Sequence, residues 1–463
     1  MNKKWIQNLA LKGIGTCFLD EYNLFKNIKN KDDLIKFQYS CLTKLLAHVG
    51  ERVPYYQNLL KNFDIISDGI VNIANFQNIP LMTKEIIRSN QESLISTDYI
   101  HRKFYYNTSG GSTGEPVKLM QDQVYVKWGL AANFYYYKNI LGIDWYNVKK
   151  INLWGSLQDI LKNNSSINSM IHNWIYNQVF LNSFRMTEKD MEQYVRLINS
   201  YEPELIHGYA GSLHELSKFA GKNHLSIHSP HYIISAAETL RDEMRADIEE
   251  AFGTKVYNFY GSREVSNLAG ECTKGLMHTF DFWNYLEILD ENNQPVKEGE
   301  EGKVVVTNLF NYSMPLIRYE IGDLAIRGPD QCTCGNILPT LKTVTGRTSD
   351  PFILEDGTII YGSFFNQLFF FKNWVRSFQI IQEDYKKIKI VVVLQNVINS
   401  GEQSTIEDNI RLVMGNDCAI IWEIVEEIPK TSSGKYLYRI SYVWRKLHQK
   451  SSQKDSEQND ISK

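Results

Sequence analysis

The sequence lacks the features that place a chain in a membrane or cross-link it through disulfides. No apolar run approaches the roughly 18 residues that a membrane-spanning helix needs. Gln7, Asn8 and Lys12 interrupt the apolar stretch near the N-terminus, which argues against a signal peptide. We therefore expect an amphipathic N-terminal helix, no transmembrane segment and a cytoplasmic location. Six cysteines in 463 residues do not resemble a disulfide framework, so we expect reduced thiols.

The sequence also lacks an excess of charge of either sign. Lysine and arginine number 50 and aspartate and glutamate 53, which gives a net charge of −3. This balance gives no reason to expect nucleic acid or an anionic membrane as a partner. Apolar residues at 43% and charged residues at 22% are typical of a globular protein. The length exceeds one ordinary domain and predicts a large domain with at least one smaller one.

The hydrophobic pattern predicts an α/β protein. A helical apolar stripe covers about residues 33–62 and is broken at Val53-Pro54. Short apolar runs then alternate with helical patterns from 120 to about 325. The clearest predicted strands lie at 151–154, 205–207, 232–234, 302–308 and 387–394, and a helix is predicted at 403–415. We place a large domain at 1–345, a small C-terminal domain at 346–445 and a polar, disordered tail at 446–463.

A cluster of glycines and hydroxyl side chains is the first segment that suggests chemistry. Residues 106–118 read YNTSGGSTGEPVK. Glycines let the backbone approach an anion, and hydroxyl and backbone N–H groups supply donors. The segment is not a Walker loop, since Glu115 follows Gly114. On its own such a segment is more often a flexible loop; with support from elsewhere it predicts a phosphate-binding loop.

Four further segments supply that support, in a fixed order. Residues 257–264 read YNFYGSRE and end in Glu264, a carboxylate suited to hold the Mg²⁺ of a nucleotide. Residues 316–323 read LIRYEIGD; Asp323 suits a ribose diol, although it also fits an ordinary turn. GRTSD at 346–350 lies on the domain boundary, and PKTSSGKYLYR at 429–439 is a glycine loop with a lysine. Five such segments in this order are hard to explain by chance.

In this order the segments resemble the adenylate-forming superfamily of acyl-CoA synthetases and adenylation domains. Within it the chain looks most like the phenylacetate–CoA ligase branch and its capsular polysaccharide biosynthesis relatives, which the early residues 53–56, VPYY, also match. The resemblance runs from about residue 35 to 440. It implies a large N-terminal domain of sheets flanked by helices and a small, mobile C-terminal α+β domain.

The resemblance also implies roles for matching residues. Lys435 would reach the α-phosphate and the carboxylate, Glu264 would hold Mg²⁺, and Arg347 would lie on the ribose or phosphate. Asp350 matches the hinge about which the small domain swings. The acyl substrate would contact Tyr209, Ser235 and Ala236. The nucleotide would be bound by Thr108, Ser109, Gly110, Gly111, Ser112, Thr113, Gly114, Ala237, Glu238, Tyr260, Gly261 and Asp323.

Two departures from the family pattern bear on the substrate. Arg263 lies where relatives usually carry threonine or serine before the glutamate. It either alters contact with the α-phosphate or acyl group, or is a tolerated substitution. The residues after Asp350 read PFILEDGT and lack the glycine-rich segment that accommodates the thiol in many CoA ligases. That absence weakens the case for CoA and favours the capsule relatives.

A second constellation consists of Cys272, His278, Cys332 and Cys334. Three sulfurs and one imidazole complete a tetrahedral zinc site, and cysteines occur at similar positions in some phenylacetate–CoA ligase relatives. The alternative is a set of unligated thiols.

The predicted function is an AMP-forming ligase that uses ATP and Mg²⁺, with structural Zn²⁺ as a further cofactor. A small carboxylic acid and ATP would give acyl-AMP and pyrophosphate. The acyl group would then pass to CoA, a carrier-protein thiol, or an amine in surface-polysaccharide modification. One alternative is a non-catalytic nucleotide-binding protein in a capsule assembly complex, against which the retention of Glu264, Asp323, Arg347 and Lys435 argues. Another is a zinc-stabilised scaffold. The related branch often dimerises, which makes a homodimer possible.

Overall fold

The structure is a computed structural model. It describes residues 18–67, 69–109, 117–145, 147–155, 173–174, 176–345, 350, 352–360, 364–365, 368–369, 372–428 and 439–447. Several predictions concern residues outside these ranges: most of the N-terminal amphipathic helix, Gly110 to Gly114 of the glycine loop, Arg347, Lys435, and the tail from residue 448. Residues 442–447 are helical, so the predicted tail begins no earlier than 448.

The bounds of the following α-helices are given by the structure. They are α1 (Leu19–Phe25), α2 (Lys31–Arg52), α3 (Pro54–Asn62), α4 (Lys84–Ser89), α5 (Gln123–Tyr135), α6 (Glu188–Tyr201), α7 (Ala210–Lys222), α8 (Asp242–Phe252) and α9 (Ser400–Met414). A π-helical turn, Tyr136–Ile140, continues α5. None of the described helices is long and apolar enough to cross a bilayer.

The described strands of the first half are β1 (Ile66–Ser67), β2 (Ile70–Val71), β3 (Phe104–Thr108), β4 (Lys118–Asp122), β5 (Lys150–Trp154), β6 (Gln178–Asn182), β7 (Leu205–Tyr209), β8 (Tyr232–Ala236), β9 (Val256–Ser262) and β10 (Ser266–Glu271). Those of the second half are β11 (Met277–Thr279), β12 (Asn284–Leu289), β13 (Glu301–Asn308), β14 (Tyr319–Arg327), β15 (Thr340–Val344), β16 (Phe352–Ile353), β17 (Ile359–Ile360), β18 (Val375–Asp384), β19 (Lys387–Leu394), β20 (Ala419–Ile424) and β21 (Arg439–Ser441). Every strand predicted from the sequence is present.

The N-terminal helical pattern breaks where the sequence predicts. Val53 ends α2 in an extended conformation, and Pro54 is the first residue of α3. Proline suits a first helical turn, where its missing N–H costs no hydrogen bond, and it disfavours helix at the residue before it. The predicted apolar stripe is therefore divided between two helices. In the first of them Leu45, Leu46 and Val49 are fully buried.

One eleven-stranded sheet carries the large domain, in the order β12-β13-β14-β15-β11-β10-β9-β8-β7-β5-β6. Pairing is parallel along one half of this sheet, from β9 through β8, β7 and β5 to β6. It is antiparallel along the other half, from β9 through β10, β11, β15, β14 and β13 to β12. Parallel strands are covered on both faces. Ile206 and Ile233 pack on one face in a cluster with α6, α7 and α8, while Leu205 and Ile234 pack on the other in a cluster that includes α5.

The C-terminal part forms a second, four-stranded sheet in the order β20-β19-β18-β21. Helix α9 buries Ile406, Ile410 and Val413 against it. The same apolar cluster includes Phe184 and Tyr209 of the large domain. The two parts therefore share an apolar contact at the end of β7, the edge of the parallel sheet where α/β proteins usually bind ligands.

Candidate active site

The glycine loop lies between the antiparallel strands β3 and β4. Thr108 and Ser109 are buried at the base of the loop. The Ser109 N–H donates to the Val117 carbonyl at 3.0 Å, and the Val117 N–H donates to Ser109 Oγ at 3.0 Å. The two ends of the loop are therefore clamped together, although residues 110–116 themselves lie outside the described ranges.

The hairpin that carries the loop is fastened to the turn that carries Glu264. Gln121 Nε2 donates to the carbonyls of Arg263 at 2.9 Å and Glu264 at 3.2 Å, and Asn107 Nδ2 donates to the Arg263 carbonyl at 3.1 Å. The Arg263 guanidinium in turn donates to Asn107 Oδ1 at 2.7 Å. Burial lowers the pKa of Arg263, and the charge of Glu264 opposes that effect. The strands that lead into and out of the predicted loop are thus neighbours of the turn that carries the predicted metal ligand.

Glu264 is buried and already has a cationic neighbour. Lys84 Nζ lies 3.5 Å from Glu264 Oε1, and their side chains are 10% and 5% exposed. The Tyr319 hydroxyl donates to the same carboxylate oxygen at 3.5 Å. A buried carboxylate oxygen is a hard ligand of the kind that Mg²⁺ prefers, so Glu264 fits its predicted role. Sequence reasoning did not identify Lys84, because it belongs to none of the five segments.

Two predicted nucleotide residues meet directly. The Tyr260 hydroxyl donates to Asp323 Oδ2 at 2.8 Å, although β9 and β14 are separated by three strands in the sheet. Gly261 follows Tyr260 where β9 approaches β10 closely: a Cβ there would lie 2.7 Å from the Ser266 carbonyl oxygen. The residue after β8, Ala237, has a left-handed backbone with φ +66°, a strained conformation that is common at functional sites.

The three predicted substrate residues lie at the carboxyl ends of β7 and β8. Tyr209 pairs with Ala236 in the parallel ladder, so those two share a face of the sheet, while Ser235 points to the opposite face. Ser235 Oγ is buried without a hydrogen-bond partner among the described residues. The structure thus brings together Tyr209 and Ala236, and directs Ser235 away from them.

An aromatic wall extends from Tyr209. The ring of Trp154 lies 4.3 Å from Tyr209 and 5.2 Å from His207, measured between ring centroids. Burial, and to a smaller extent the charge of Lys150, lower the pKa of His207 to about 4. His207 is therefore a neutral imidazole near pH 7, a polar group within an otherwise apolar wall. The alternation of residues along β7 did not by itself identify His207 as part of this wall.

Glu238 connects the large domain to the last strand of the small one. The Gly211 N–H donates to Glu238 Oε2 at 3.0 Å, at the start of α7. Burial raises the pKa of Glu238, while this hydrogen bond and the charge of Arg439 oppose the rise. Burial likewise lowers the pKa of Arg439 to about 10, against the charges of Glu238 and Asp350. The predicted adenine segment thus contacts α7 and lies close to Arg439.

The predicted hinge residue, Asp350, is hydrogen-bonded to residues about 90 positions later in the chain. Asp350 Oδ2 accepts hydrogen bonds from Arg445 Nε at 2.6 Å and from the Ser441 N–H at 3.2 Å. Asp350 therefore connects the start of the small domain to β21 and to the helical residues that follow β21.

The cysteine and histidine constellation is assembled in the fold. The ligand atoms of Cys272, His278, Cys332 and Cys334 all lie within 4.8 Å of one another. Cys272 Sγ is 3.7 Å from Cys332 Sγ, and His278 Nε2 is 3.1 Å from Cys334 Sγ. His278 Nδ1 lies 3.0 Å from the Leu338 carbonyl, which directs Nε2 towards the sulfurs. No described cysteine forms a disulfide.

The C-terminal part of the chain matches a family model, and relatives match most of its length. Residues 352–441 match the family model described as the CapK C-terminal domain. Protein CapK of Staphylococcus aureus is 24% identical over 455 residues, which cover 94% of this chain and 97% of CapK. Phenylacetate–coenzyme A ligase of Thermus thermophilus is 25% identical over 345 residues, which cover 72% of this chain and 74% of that enzyme. The chain is a homologue of CapK and of the phenylacetate–CoA ligases.

A solved structure gives the same fold. 2-Hydroxyisobutyryl-CoA ligase, in complex with 2-HIB-AMP and CoA in its thioesterification state, superposes with a TM-score of 0.53 at 18% identity and covers 91% of each chain. At that identity the likeness establishes the fold. The predicted family resemblance, the α/β fold class and the enzyme class, an AMP-forming ligase, are confirmed.

Proposed function

We propose that this protein activates a small carboxylic acid with ATP and then transfers the acyl group to an acceptor. The observation that carries the proposal is the hydrogen bond from Tyr260 to Asp323 at 2.8 Å, beside the turn that holds Glu264. Residues expected to bind the ribose, the adenine and the metal ion are thus brought to one edge of the sheet from distant parts of the chain. The adenylate-forming fold of the relatives supports the same reaction class.

The first half-reaction would join two anions, and the site is built to offset their repulsion. A carboxylate oxygen attacks the α-phosphorus of ATP, the bond to the departing pyrophosphate breaks, and acyl-AMP forms. Glu264 would hold Mg²⁺, which supplies positive charge at the phosphates. Asp323 would hold the ribose hydroxyls, with Tyr260 fixing its orientation. We assign Lys435 to the reacting centre and Arg347 to the ribose or phosphate, on the resemblance alone.

The acceptor is the less constrained half of the proposal. CoA, a carrier-protein thiol and an amine in surface-polysaccharide modification are the candidates, and the likeness to CapK over nearly the whole chain favours a capsule role. The proposed adenylation step consumes ATP, so we place the reaction in the cytoplasm. Dimerisation stays a prediction from the resemblance. The second candidate function is a nucleotide-binding protein without catalysis in a capsule assembly complex.

Acid-dependent ATP–pyrophosphate exchange over a panel of aryl, aliphatic, amino and hydroxy acids tests the proposal. We expect exchange with one class of acid and its loss in Lys435→Ala and Glu264→Ala. Lys222→Met is the control, because Lys222 lies exposed at the end of α7, where it pairs with Glu188, and it should retain exchange. ATP binding without exchange for any acid would favour the non-catalytic alternative. A wild-type protein that does not bind ATP would rule out both.

We also propose that Cys272, His278, Cys332 and Cys334 hold a structural zinc ion. Three sulfurs and one imidazole are a usual closed set for zinc, which leaves no position for a substrate. Two sulfurs bound to one tetrahedral zinc lie about 3.8 Å apart, given Zn–S bonds of about 2.3 Å. The 3.7 Å between Cys272 and Cys332 agrees with that spacing.

The two cysteine turns share one backbone design, which further supports zinc. In each, a Cys-x-x-Gly sequence places a glycine with φ +84° at its end, Gly275 and Gly335. In each, the glycine N–H donates to the cysteine carbonyl, at 3.0 and 3.1 Å, and the N–H two residues after the cysteine donates to its sulfur, at 3.4 and 3.5 Å. Backbone donors to sulfur stabilise thiolates, the form that binds metal.

Metal analysis by mass spectrometry tests the zinc proposal directly. Protein purified without added metal should contain one zinc per chain, and Cys334→Ser should lose it. Cys41→Ser is the matched control, since Cys41 is buried outside the cluster, and it should keep the metal. A wild-type protein free of zinc that cannot be loaded with it would refute the proposal.

A further inference from the structure

Of the residues that form β7, only His207 keeps part of its surface exposed. The strand lies between β5 and β8 in the sheet. Leu205 and Tyr209 point to the same face as His207, and they are 1% and 4% exposed. A side chain in the middle of a central strand retains exposed surface only where nothing packs over it. A space therefore lies over the His207 ring, on the face of the sheet that carries Tyr209.

The imidazole of His207 also lacks a hydrogen-bond partner. Its Nε2 is buried and has no partner among the described residues, although buried polar groups in proteins are nearly always hydrogen-bonded. A half-turn of the ring about its Cβ–Cγ bond exchanges each ring nitrogen with a ring carbon. A group placed at the exposed edge of the ring therefore reaches a nitrogen in one of the two orientations, so a bound ligand can supply the missing partner.

The neighbours of His207 connect it to the edge where the acid is expected to bind. The ring centroid of Trp154 lies 5.2 Å from that of His207 and 4.3 Å from that of Tyr209, and Tyr209 pairs with Ala236 at the carboxyl ends of β7 and β8. His207 lies two residues before that edge, a distance of about 7 Å along the strand. An acid whose carboxylate lies at the edge and whose chain follows this face would place its far end over His207.

A nearby positive charge selects among the polar groups that this far end could carry. Lys150 is buried on the same face of β5, where its ammonium lies 3.9 Å from the ring centroid of Trp145. Its charge adds to burial in lowering the pKa of His207, so the two side chains are close enough to interact. Lys150 would repel an ammonium group bound over His207. A hydroxyl meets no such repulsion, and it can either donate to a neutral imidazole or accept from it.

We propose that His207 is a specificity-determining residue of the acyl site, and that the acid carries a hydroxyl at the end away from its carboxylate. The hydroxyl forms a hydrogen bond with the imidazole, while Trp154 and Tyr209 contact the apolar part of the acid between its two polar ends. The substrate class is therefore a hydroxy acid whose hydroxyl lies about 7 Å from its carboxylate. This inference rests on the proposed function, which supplies the reaction of the carboxylate.

Matched pairs of acids test the proposal in the wild-type protein. ATP–pyrophosphate exchange is measured with para-hydroxybenzoate and benzoate, with para-hydroxyphenylacetate and phenylacetate, and with ω-hydroxyhexanoate and hexanoate. We expect kcat/KM to favour the hydroxy acid of at least one pair by about 10- to 100-fold, because the acid without a hydroxyl leaves the imidazole unpaired. ω-Aminohexanoate, which has an ammonium in place of the hydroxyl, should be poorer than ω-hydroxyhexanoate.

Substitutions at His207 assign this preference to the imidazole. His207→Phe keeps an aromatic ring and removes both nitrogens, so it should abolish the preference for the hydroxy acid. His207→Gln retains a donor and an acceptor and should keep part of it. The KM for ATP should not change in either variant. His231→Phe is the matched control, because His231 is exposed just before β8, and it should keep the full preference.

The opposite results would overturn the proposal. Equal use of both acids of every pair by the wild type would show that water is the partner of His207, and a preference that survives in His207→Phe would assign it to another residue. If His207→Phe does not fold, the wild-type comparison and His207→Gln still decide.

Isothermal titration with the same acids separates this inference from the proposed function. A hydroxy acid that binds the wild type about 10-fold more tightly than its partner acid, without supporting exchange, would defeat the proposed function and support the role of His207. Exchange without any preference would support the proposed function and overturn the role of His207. A wild-type protein that neither binds nor exchanges any of these acids would also overturn it.

Discussion

At the scale of single residues, the site depends on carboxylates that are buried or partly buried and that each have a specific neighbour. Glu264 is paired with Lys84, Asp323 accepts from Tyr260, and Glu238 accepts from the Gly211 N–H. Each pair joins segments far apart in the sequence. Sequence patterns identified Glu264 and Asp323 by residue type and order, and the family resemblance added Glu238. Neither contains information on spatial partners, so Lys84 was missed.

Gly261 is required by a close approach between two backbones. An added Cβ would lie 2.7 Å from the Ser266 oxygen and 3.4 Å from the Asn267 Cα, and backbone atoms cannot rotate away. We expect Gly261→Ala to destabilise the protein by about 1–3 kcal/mol and to lower exchange activity, since the shift displaces the Glu264 turn. Gly221→Ala is the matched control in α7, because nothing lies within 4 Å of a Cβ added there. Thermal unfolding of both variants tests this prediction. A Gly261→Ala variant as stable as Gly221→Ala would contradict the account.

We expect Asp281 to make the stability of the fold depend on pH. Burial raises the pKa of Asp281 to about 6, against hydrogen bonds from Thr279 and Gln38. A carboxyl whose pKa is raised on folding contributes its stability below its unfolded pKa and loses it as pH rises through the folded value. We therefore expect wild-type stability to fall between about pH 4 and 6 because of this group.

The substitution Asp281→Asn should remove that component. The free energy of unfolding, measured in urea between about pH 4 and 8, should then rise relative to wild type above about pH 6, by on the order of 1–3 kcal/mol. Glu250→Gln is the exposed control and should follow the wild-type profile. A parallel pH profile for Asp281→Asn would show that Asp281 is not the responsible group.

At the scale of elements, the antiparallel half of the sheet is joined by the cysteine and histidine cluster. Cys272 and His278 lie in and beside the β10–β11 hairpin, and Cys332 and Cys334 lie in the loop between β14 and β15. β11 also pairs with β15. A bound zinc would therefore lock β10, which follows the Glu264 turn, to β14, which carries Asp323.

Removal of zinc should loosen these elements before the rest of the fold. We expect Cys332→Ser, or chelation of the metal, to increase hydrogen exchange of β11 and of residues 328–339, while α6 and α7 stay protected. The melting temperature should fall by several degrees, and AMP binding should weaken because β10 and β14 bear on the site. Unchanged protection of β11 after complete metal loss would contradict a structural role.

At the scale of the whole molecule, much of the architecture could be predicted from the sequence. The break at Val53-Pro54 and the strands at 302–308 and 387–394 followed from proline chemistry and apolar runs. The five ordered segments identified the superfamily. What the sequence could not give was the contact between the two sheets, since Tyr209 and Phe184 join the apolar cluster of the small domain only through tertiary packing. The orientation of Ser235 away from Tyr209 depends on register in the same way.

Arg439 carries the charge contact between the two parts of the chain. It lies on β21 near Glu238 of the large domain and Asp350 at the junction. We expect Arg439→Met to be destabilising alone, because the partly buried Glu238 then loses a nearby cation. The double variant with Glu238→Gln should recover part of the loss, with a coupling energy of about 1–3 kcal/mol in a thermal or urea double-mutant cycle. Strictly additive effects would show that the two residues do not interact.

The central claim is that the acid is joined to AMP through its own carboxylate oxygen, and transfer of an oxygen label tests it most directly. The acid that supports exchange is labelled with ¹⁸O in its carboxylate and incubated with ATP, Mg²⁺ and an acceptor, and the nucleotide product is analysed by mass spectrometry. Adenylation predicts AMP that carries one ¹⁸O atom, because the carboxylate oxygen that attacks the α-phosphorus stays with AMP after acyl transfer. Label in inorganic phosphate with formation of ADP, or unlabelled AMP, would contradict the account.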